Sequence, residues 1–100
     1  MDYRVSLTAA ARRDVREIVR FISLDSPQSG ARFGRRLIAC AGSLGQFPQR
    51  GRIVPEFERP AIREIIFHSY RVIYHVDDPN GVVTVLRFWH AARGTPKIGL

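Results

Sequence analysis

From Tyr3 to Leu7 the chain alternates: Tyr3, Val5 and Leu7 fall on one side and Arg4 and Ser6 on the other, the period of a short strand. Thr8 ends the alternation and can serve as a helix N-cap. From Ala9 to about Leu24 the period lengthens, so that Ala11, Val15, Ile18, Val19 and Ile22 form one helical stripe while Arg12, Arg16 and Arg20 recur one turn apart on another face. Ser26-Pro27 is a second start signal, because serine can cap and proline suits the first helical position, where its missing N–H costs nothing. A helix is predicted from there to about Gly45, with Phe33, Leu37, Ile38, Ala41 and Leu44 on its apolar stripe and Arg32, Arg35 and Arg36 beside it. The short Asp25-Ser26 link makes the two helices an antiparallel hairpin.

Two prolines and a glycine then interrupt regular structure in Phe47-Pro48-Gln49-Arg50-Gly51-Arg52 and Val54-Pro55-Glu56, which predicts an ordered loop anchored by Phe47 and Val54. Three runs rich in β-branched and aromatic residues follow: Ile62 to Phe67, Tyr70 to Val76 and Val82 to Trp89. Asp78-Pro79-Asn80-Gly81 between the last two is a hairpin turn, with proline preset for it and Asn-Gly able to take positive φ. The expected architecture is a single α+β domain: an N-terminal strand, an antiparallel helical hairpin, and a three-stranded antiparallel meander completing one sheet. The hairpin should pack through Val15, Ile18, Ile22, Phe33, Leu37, Ala41 and Leu44 against Val72, Tyr74, Val76 and Leu86. The other face of the sheet should stay partly open, and the segment from Gly94 to Leu100 reads as a loose tail.

A chain of 100 residues has material for one core. Its 45% hydrophobic and 25% charged residues are the balance of an ordered globular domain. Sixteen basic against nine acidic residues leave a net charge of +7, and all but one of the sixteen are arginine. Such a surface attracts anions at long range, and arginine suits bidentate contacts to carboxylate or phosphate. Nucleic acid, an acidic protein segment and a membrane surface are the partner classes this charge allows; an arginine-biased genome would produce the same surplus. No apolar run approaches the roughly twenty residues of a membrane span, and no signal-like stretch opens the chain, so a cytoplasmic location is expected. Cys40, the one cysteine, sits among apolar residues and reads as a small core residue.

Strand alternation places Tyr70, Val72, Tyr74 and Val76 on one side of their strand and Arg71, Ile73 and His75 on the other. By the same count Arg63, Ile65 and Phe67 share a side, as do Val83, Val85, Arg87 and Trp89, so that Arg63, Arg71 and Arg87 could meet on the open face. Three separate solvated strand arginines are the competing reading. His90, beside Trp89 and near Arg93, could act as a general acid next to a phosphate-holding Arg71 or Arg87; a half-exposed histidine at a strand end is the plainer one. A metal site from His75 and His90 lacks a third ligand at suitable spacing, and no cofactor is implied. Glu56, Glu58 and Glu64 are candidate bases, Glu64 being equally a strand charge partner of Arg63. Tyr70 and Tyr74, at period two, fit the core.

In order and spacing, a set of residues along nearly the whole chain resembles the ParE/RelE superfamily of type II toxin–antitoxin toxins. They are Tyr3-Arg4-Val5 with Thr8; Ala11, Asp14, Ile18, Phe21 and Ile22; Asp25-Ser26-Pro27; Ala31, Arg32 and Phe33; Leu44, Phe47-Pro48, Gly51-Arg52 and Val54-Pro55-Glu56; Arg63-Glu64-Ile65; Tyr70-Arg71-Val72-Ile73-Tyr74; and Val85-Leu86-Arg87 with His90 and Arg93. The long helical hairpin, the Phe-Pro and Gly-Arg loop and the His-x-x-Arg ending look like the ParE branch, which the resemblance associates with poisoning of DNA gyrase and with no catalytic residue. RelE-like members instead cut messenger RNA on the ribosome without metal, and for that alternative Arg71, Arg87 and His90 are the candidate residues. Ala91 stands where one such group has a C-terminal tyrosine. The resemblance also implies a cognate ParD-like antitoxin with an acidic amphipathic tail and a hetero-oligomer with it, for which Arg12, Arg16, Arg20, Arg32, Arg35, Arg36, Arg63, Arg71, Arg87 and Arg93 are the expected contact residues. A gyrase-binding inhibitor ranks first, a ribosome-dependent ribonuclease second, and a basic binding adaptor third.

Overall fold

Both helices begin where a side chain can cap them. In the computed structural model, which describes residues 2–99, Thr8 Oγ1 accepts the Ala11 N–H at 3.0 Å and opens α1 (Ala9–Ser23). Ser26 does the same for α2 (Pro27–Gly42) by accepting the Ser29 N–H at 3.2 Å. α2 stops at Gly42 and tightens into a 3-10 turn, Ser43–Gly45, where the sequence predicts continuing helix; the Ser43 hydroxyl turns back to donate to the Cys40 carbonyl at 2.6 Å. The two helices approach closely through Gly30 and Gly34: a Cβ on Gly30 would lie 2.9 Å from the Val19 carbonyl, and one on Gly34 2.7 Å from the Val19 side chain.

The strands are β1 (Arg4–Leu7), β2 (Arg52–Ile53), β3 (Ile62–Phe67), β4 (Tyr70–Asp77) and β5 (Val82–His90), in one sheet of order β1-β5-β4-β3-β2. β1 runs parallel to β5 with Val5 opposite Val83, and the remaining neighbours are antiparallel. β2 is an addition to the expected set, a two-residue edge strand inside the proline-rich loop, where prolines on either side keep it short. Among the described residues no helix is long and apolar enough to cross a membrane.

The hairpin covers one face of the sheet. Ile18, Leu37, Ala41 and Leu44 are buried against Val72, Tyr74, Val76, Val83, Val85 and Phe88, with Val15, Ile22 and Phe33 packed at the margin. Leu86 does not belong to this core. A bulge lies where β4 passes from Ile73 to Tyr74: Ile73 pairs with Arg87 and Tyr74 with Val85, so Leu86 is the extra residue. Alternation through β5 is thereby broken, and Val83 and Val85 face the helices while Leu86 and Trp89 join Val54, Ile62 and Ile73 in a second apolar cluster on the opposite face.

That opposite face is less open than expected. Phe57 from the loop and Ile98 from the C-terminal segment pack onto the second cluster, and Pro96 is buried. The segment expected to be a loose tail is tied down: the Trp89 indole N–H donates to the Gly94 carbonyl at 3.1 Å and Arg87 donates to the Lys97 carbonyl at 2.7 Å. Leu100, the end of that expected tail, lies outside the described residues.

Candidate functional site

The meeting of Arg63, Arg71 and Arg87 on one face that strand alternation allows does not occur. Arg63 pairs with Tyr74 and lies on the helix side, where its Nη1 donates to the Gly51 carbonyl at 2.8 Å and its buried Nε has no partner. Arg71 lies on the second face, 8% exposed. Its Nε donates to Glu64 at 2.6 Å, and Nη1 and Nη2 donate to the two carboxylate oxygens of Glu56 at 2.8 and 2.7 Å. Arg52 reaches the other oxygen of Glu64 through Nε at 2.8 Å and Nη2 at 2.7 Å. Glu64 has a fully buried side chain, so it depends on both guanidinium groups for solvation. The Arg71 hydrogen bonds hold the Glu56 carboxyl down at about 2, and Arg71 is raised in turn, chiefly by Glu56. The three candidate bases therefore divide: Glu56 and Glu64 are ion-paired and Glu58 is exposed, at positive φ.

Arg87 is engaged in the same way by Asp14. Arg87 Nε and Nη2 donate to the two oxygens of Asp14 at 2.7 and 2.8 Å, which raises the arginine further. One of those oxygens also accepts the Phe88 N–H at 3.0 Å. β1 pairs only as far as Val85; beyond it, Thr8 Oγ1 donates to the Leu86 carbonyl at 2.9 Å, and Asp14 on α1 accepts the buried Phe88 N–H, which β1 does not reach. The sequence pattern gave Asp14 no role of its own. Its signal was nonetheless present: it stands on the apolar stripe between Ala11 and Ile18, and a carboxylate there requires a buried partner.

His90 makes no hydrogen bond to either arginine among the described contacts. Its Nδ1 accepts the Ala92 N–H at 3.1 Å, which leaves the ring proton of the neutral imidazole on Nε2. Its ring meets Tyr70 edge-on with centroids 5.3 Å apart, and the two line a shallow cleft of about 180 Å³ with Asp14, Glu17, Ile18, Phe21, Phe88 and Arg93, so that the carboxylate held by Arg87 forms part of its wall. Arg93 stacks 3.8 Å over the Trp89 ring, with Arg87 4.9 Å from its centroid. His75 lies toward the other end of β4 from this cleft, opposite Thr84, and among the described residues no group of His, Cys, Asp and Glu is arranged to hold a metal ion. Cys40 is half-buried, and burial pushes its thiol up, against a smaller lowering by Arg50.

The hairpin arginines are placed differently. Arg12, Arg16, Arg20, Arg32, Arg35 and Arg36 are all exposed, and among the described residues none makes an ion pair. Arg36 alone has a described side-chain contact, 3.3 Å to His68 Nε2 and 5.5 Å over the Phe67 ring. Between the helices lies an open groove floored by Val15, Val19, Gly34 and Ile38, with Arg35 on its rim. The arrangement offers an amphipathic, cationic docking surface on the hairpin, and on the sheet a set of arginines neutralised by carboxylates.

Known proteins share this arrangement of elements. The sequence pattern of the family described as "ParE toxin of type II toxin-antitoxin system, parDE" matches residues 5–94. Toxin RelE2 of Caulobacter vibrioides is 34% identical over 91 residues, 90% of this chain and 97% of that protein. Among solved structures, the chain is similar to one in the toxin–antitoxin complex RelBE2 from Mycobacterium tuberculosis, with a TM-score of 0.68 and 26% identity over 90% of this chain and 99% of that one. It also shares its fold with a chain of the chromosomal ParDE system from P. aeruginosa, with a TM-score of 0.72 and 18% identity over 88% and 95% of the two chains. With a match that runs from the first strand to the end of the last, the chain belongs to the ParE/RelE superfamily of type II toxin–antitoxin toxins.

Proposed function

We propose that this type II toxin arrests growth by binding DNA gyrase, with no acid–base chemistry of its own, and that a cognate antitoxin neutralises it. The observation that carries this reading is the state of Arg71 and Arg87. A ribonuclease of this fold needs free cations to hold the scissile phosphate beside an acid and a base. Both guanidinium groups instead hold carboxylates in bidentate pairs, and neither lines the His90 cleft, whose wall includes Asp14 already bound to Arg87. Binding chemistry fits what remains exposed. The apolar groove with Arg35 on its rim, on a hairpin that carries further unpaired arginines, complements an amphipathic acidic segment, and relatives of the same fold occur in toxin–antitoxin complexes, which supports an antitoxin as the partner.

One observation favours a second reading, ribosome-dependent cleavage of message. His90 presents a donor Nε2 to a cleft it shares with Tyr70, Glu17 and Arg93, a set that contains an acid, a base and a cation. The two readings separate cleanly. Purified toxin should inhibit supercoiling by gyrase and leave ribosome-bound message intact, with His90→Ala retaining most of its toxicity. Cuts in message at the ribosome that disappear in a folded His90→Ala variant would establish the nuclease and end the gyrase reading.

A further inference from the structure

The loop between α2 and β2 combines two properties: it is fastened from inside the core, and it displays an aromatic ring to solvent. Tyr74 is fully buried, yet its hydroxyl serves only this loop, donating to the Pro48 carbonyl at 2.8 Å and accepting the Gly51 N–H at 2.9 Å. Arg63 adds a third bond, to the Gly51 carbonyl. Gly51 has no room for a side chain, since a Cβ would stand 2.5 Å from the Glu64 carbonyl and 2.6 Å from the Tyr74 hydroxyl. At the other end the 3-10 turn is held by Tyr3, whose N–H donates to the Gly45 carbonyl at 2.7 Å, and the tip closes on an Arg50 N–H to Phe47 carbonyl bond of 3.1 Å.

On this frame Phe47 is 57% exposed. Expected from the sequence as an inward anchor, it points out, and the buried hydroxyl of Tyr74 does the anchoring instead. Gln46, Gln49 and Arg50 surround it, all exposed, beside an apolar depression of about 460 Å³. A rigid aromatic centre with a polar and cationic rim has the composition of a protein-interface hot spot. Its preorganisation removes the ordering cost that a mobile loop would carry on binding. The loop also follows the C-terminal end of α2, at the far end of that helix from the hairpin link at Asp25.

We propose that Phe47, ringed by Gln46, Gln49 and Arg50, is the anchor with which the toxin enters an apolar, carboxylate-rimmed pocket on its protein target, a surface separate from the hairpin groove assigned to the antitoxin. The inference builds on the reading of the chain as a toxin that acts by binding. Phe47→Ser should reduce growth arrest on induction, and toxin potency in the gyrase supercoiling assay, by roughly tenfold or more. Its melting temperature and its copurification with the antitoxin encoded beside it should match wild type, and Phe47→Trp should restore activity. Gln49→Trp, which adds bulk at the exposed rim, should weaken arrest in the same direction.

Undiminished arrest in both Phe47→Ser and Gln49→Trp overturns the anchor, as does loss of antitoxin binding or of thermal stability in parallel with arrest. A fluorescent single-stranded oligonucleotide that binds wild type and not Phe47→Ser would make the ring a base-stacking site, and overturns it equally. If wild type leaves gyrase untouched while Phe47→Ser still loses arrest, the gyrase reading falls and the anchor stands. If wild type and Phe47→Ser inhibit gyrase alike, the gyrase reading stands and the anchor falls.

Discussion

Arginine does opposite work in two regions of this molecule. On the second face of the sheet, Arg52, Arg71 and Arg87 are consumed by Glu64, Glu56 and Asp14, and they fasten the loop, the C-terminal segment and α1 to the strands. On the hairpin, Arg12, Arg16, Arg20, Arg32, Arg35 and Arg36 have no carboxylate partner among the described residues and contribute field more than structure. The net charge of +7 is thus unevenly placed. Three carboxylates, Asp14, Glu56 and Glu64, are spent on the sheet arginines, and the hairpin arginines are left exposed to solvent. Residue type alone does not tell a paired cation from a free one; the carboxylate across from it does.

The largest expected effect lies in the paired region. Arg71→Ala strands Glu56 and weakens the solvation of the fully buried Glu64, and should destabilise the domain by about 3 to 5 kcal/mol in denaturant unfolding. A loss as small as that of a surface substitution would erase the distinction between the two sets. Within the hairpin the stabilising residues are apolar: Leu37→Ala, at a fully buried position, should cost on the order of 2 to 5 kcal/mol, read as a lowered midpoint of urea unfolding. An unchanged midpoint would mean that the helices do not draw their stability from the inner stripe.

A smaller effect is specific to pH. The Glu56 carboxyl is depressed from 4.5 to about 2 in the folded chain, so its contribution is complete above the unfolded value and is lost as pH falls from about 4.5 through 2. Unfolding measured across that interval should show wild type losing stability more steeply than Glu56→Gln, with the two curves converging at the acid end. The smallest effect on stability should come from Arg12→Glu, Arg16→Glu and Arg20→Glu together, each within about 0.5 kcal/mol of neutral. The same triple variant should associate with the antitoxin more slowly and with a weaker dependence on salt, in stopped-flow measurements at several ionic strengths. A salt-insensitive wild-type rate would remove the steering role from the hairpin.

Much of the fold was legible because its signals are local. Thr8 and Ser26 cap as their sequence contexts imply, and the helical stripes of Leu37, Ala41 and Leu44 face the core. Strand β3 spans the run of branched residues from Ile62 to Phe67. The misreadings arise where a single residue resets the pattern for its successors. Alternation assumes an unbroken pleat, and the extra Leu86 parts Arg87 and Trp89 from Val83 and Val85. The pairing of Asp14 with Arg87 joins two residues 73 positions apart, beyond the reach of any local pattern. Phe47 was misassigned for a related reason: a large aromatic after a helix reads as an anchor, and only the buried Tyr74 hydroxyl reveals that the loop is held without it.

The carboxylate of Asp14 has a further consequence, for what the sheet can become. A β-sheet extends by accepting a new chain along an unsatisfied border, and a protein with two such borders can polymerise into a ribbon. Here the border of β5 past Val85 is stoppered by Thr8 and Asp14, side chains that complete its bonding without offering any of their own to a further strand. The opposite border ends in the two residues of β2, with prolines nearby at Pro48 and Pro55. A new strand is thereby barred from β5 beyond Val85, and the outer edges left to β1 and β2 are only four and two residues long.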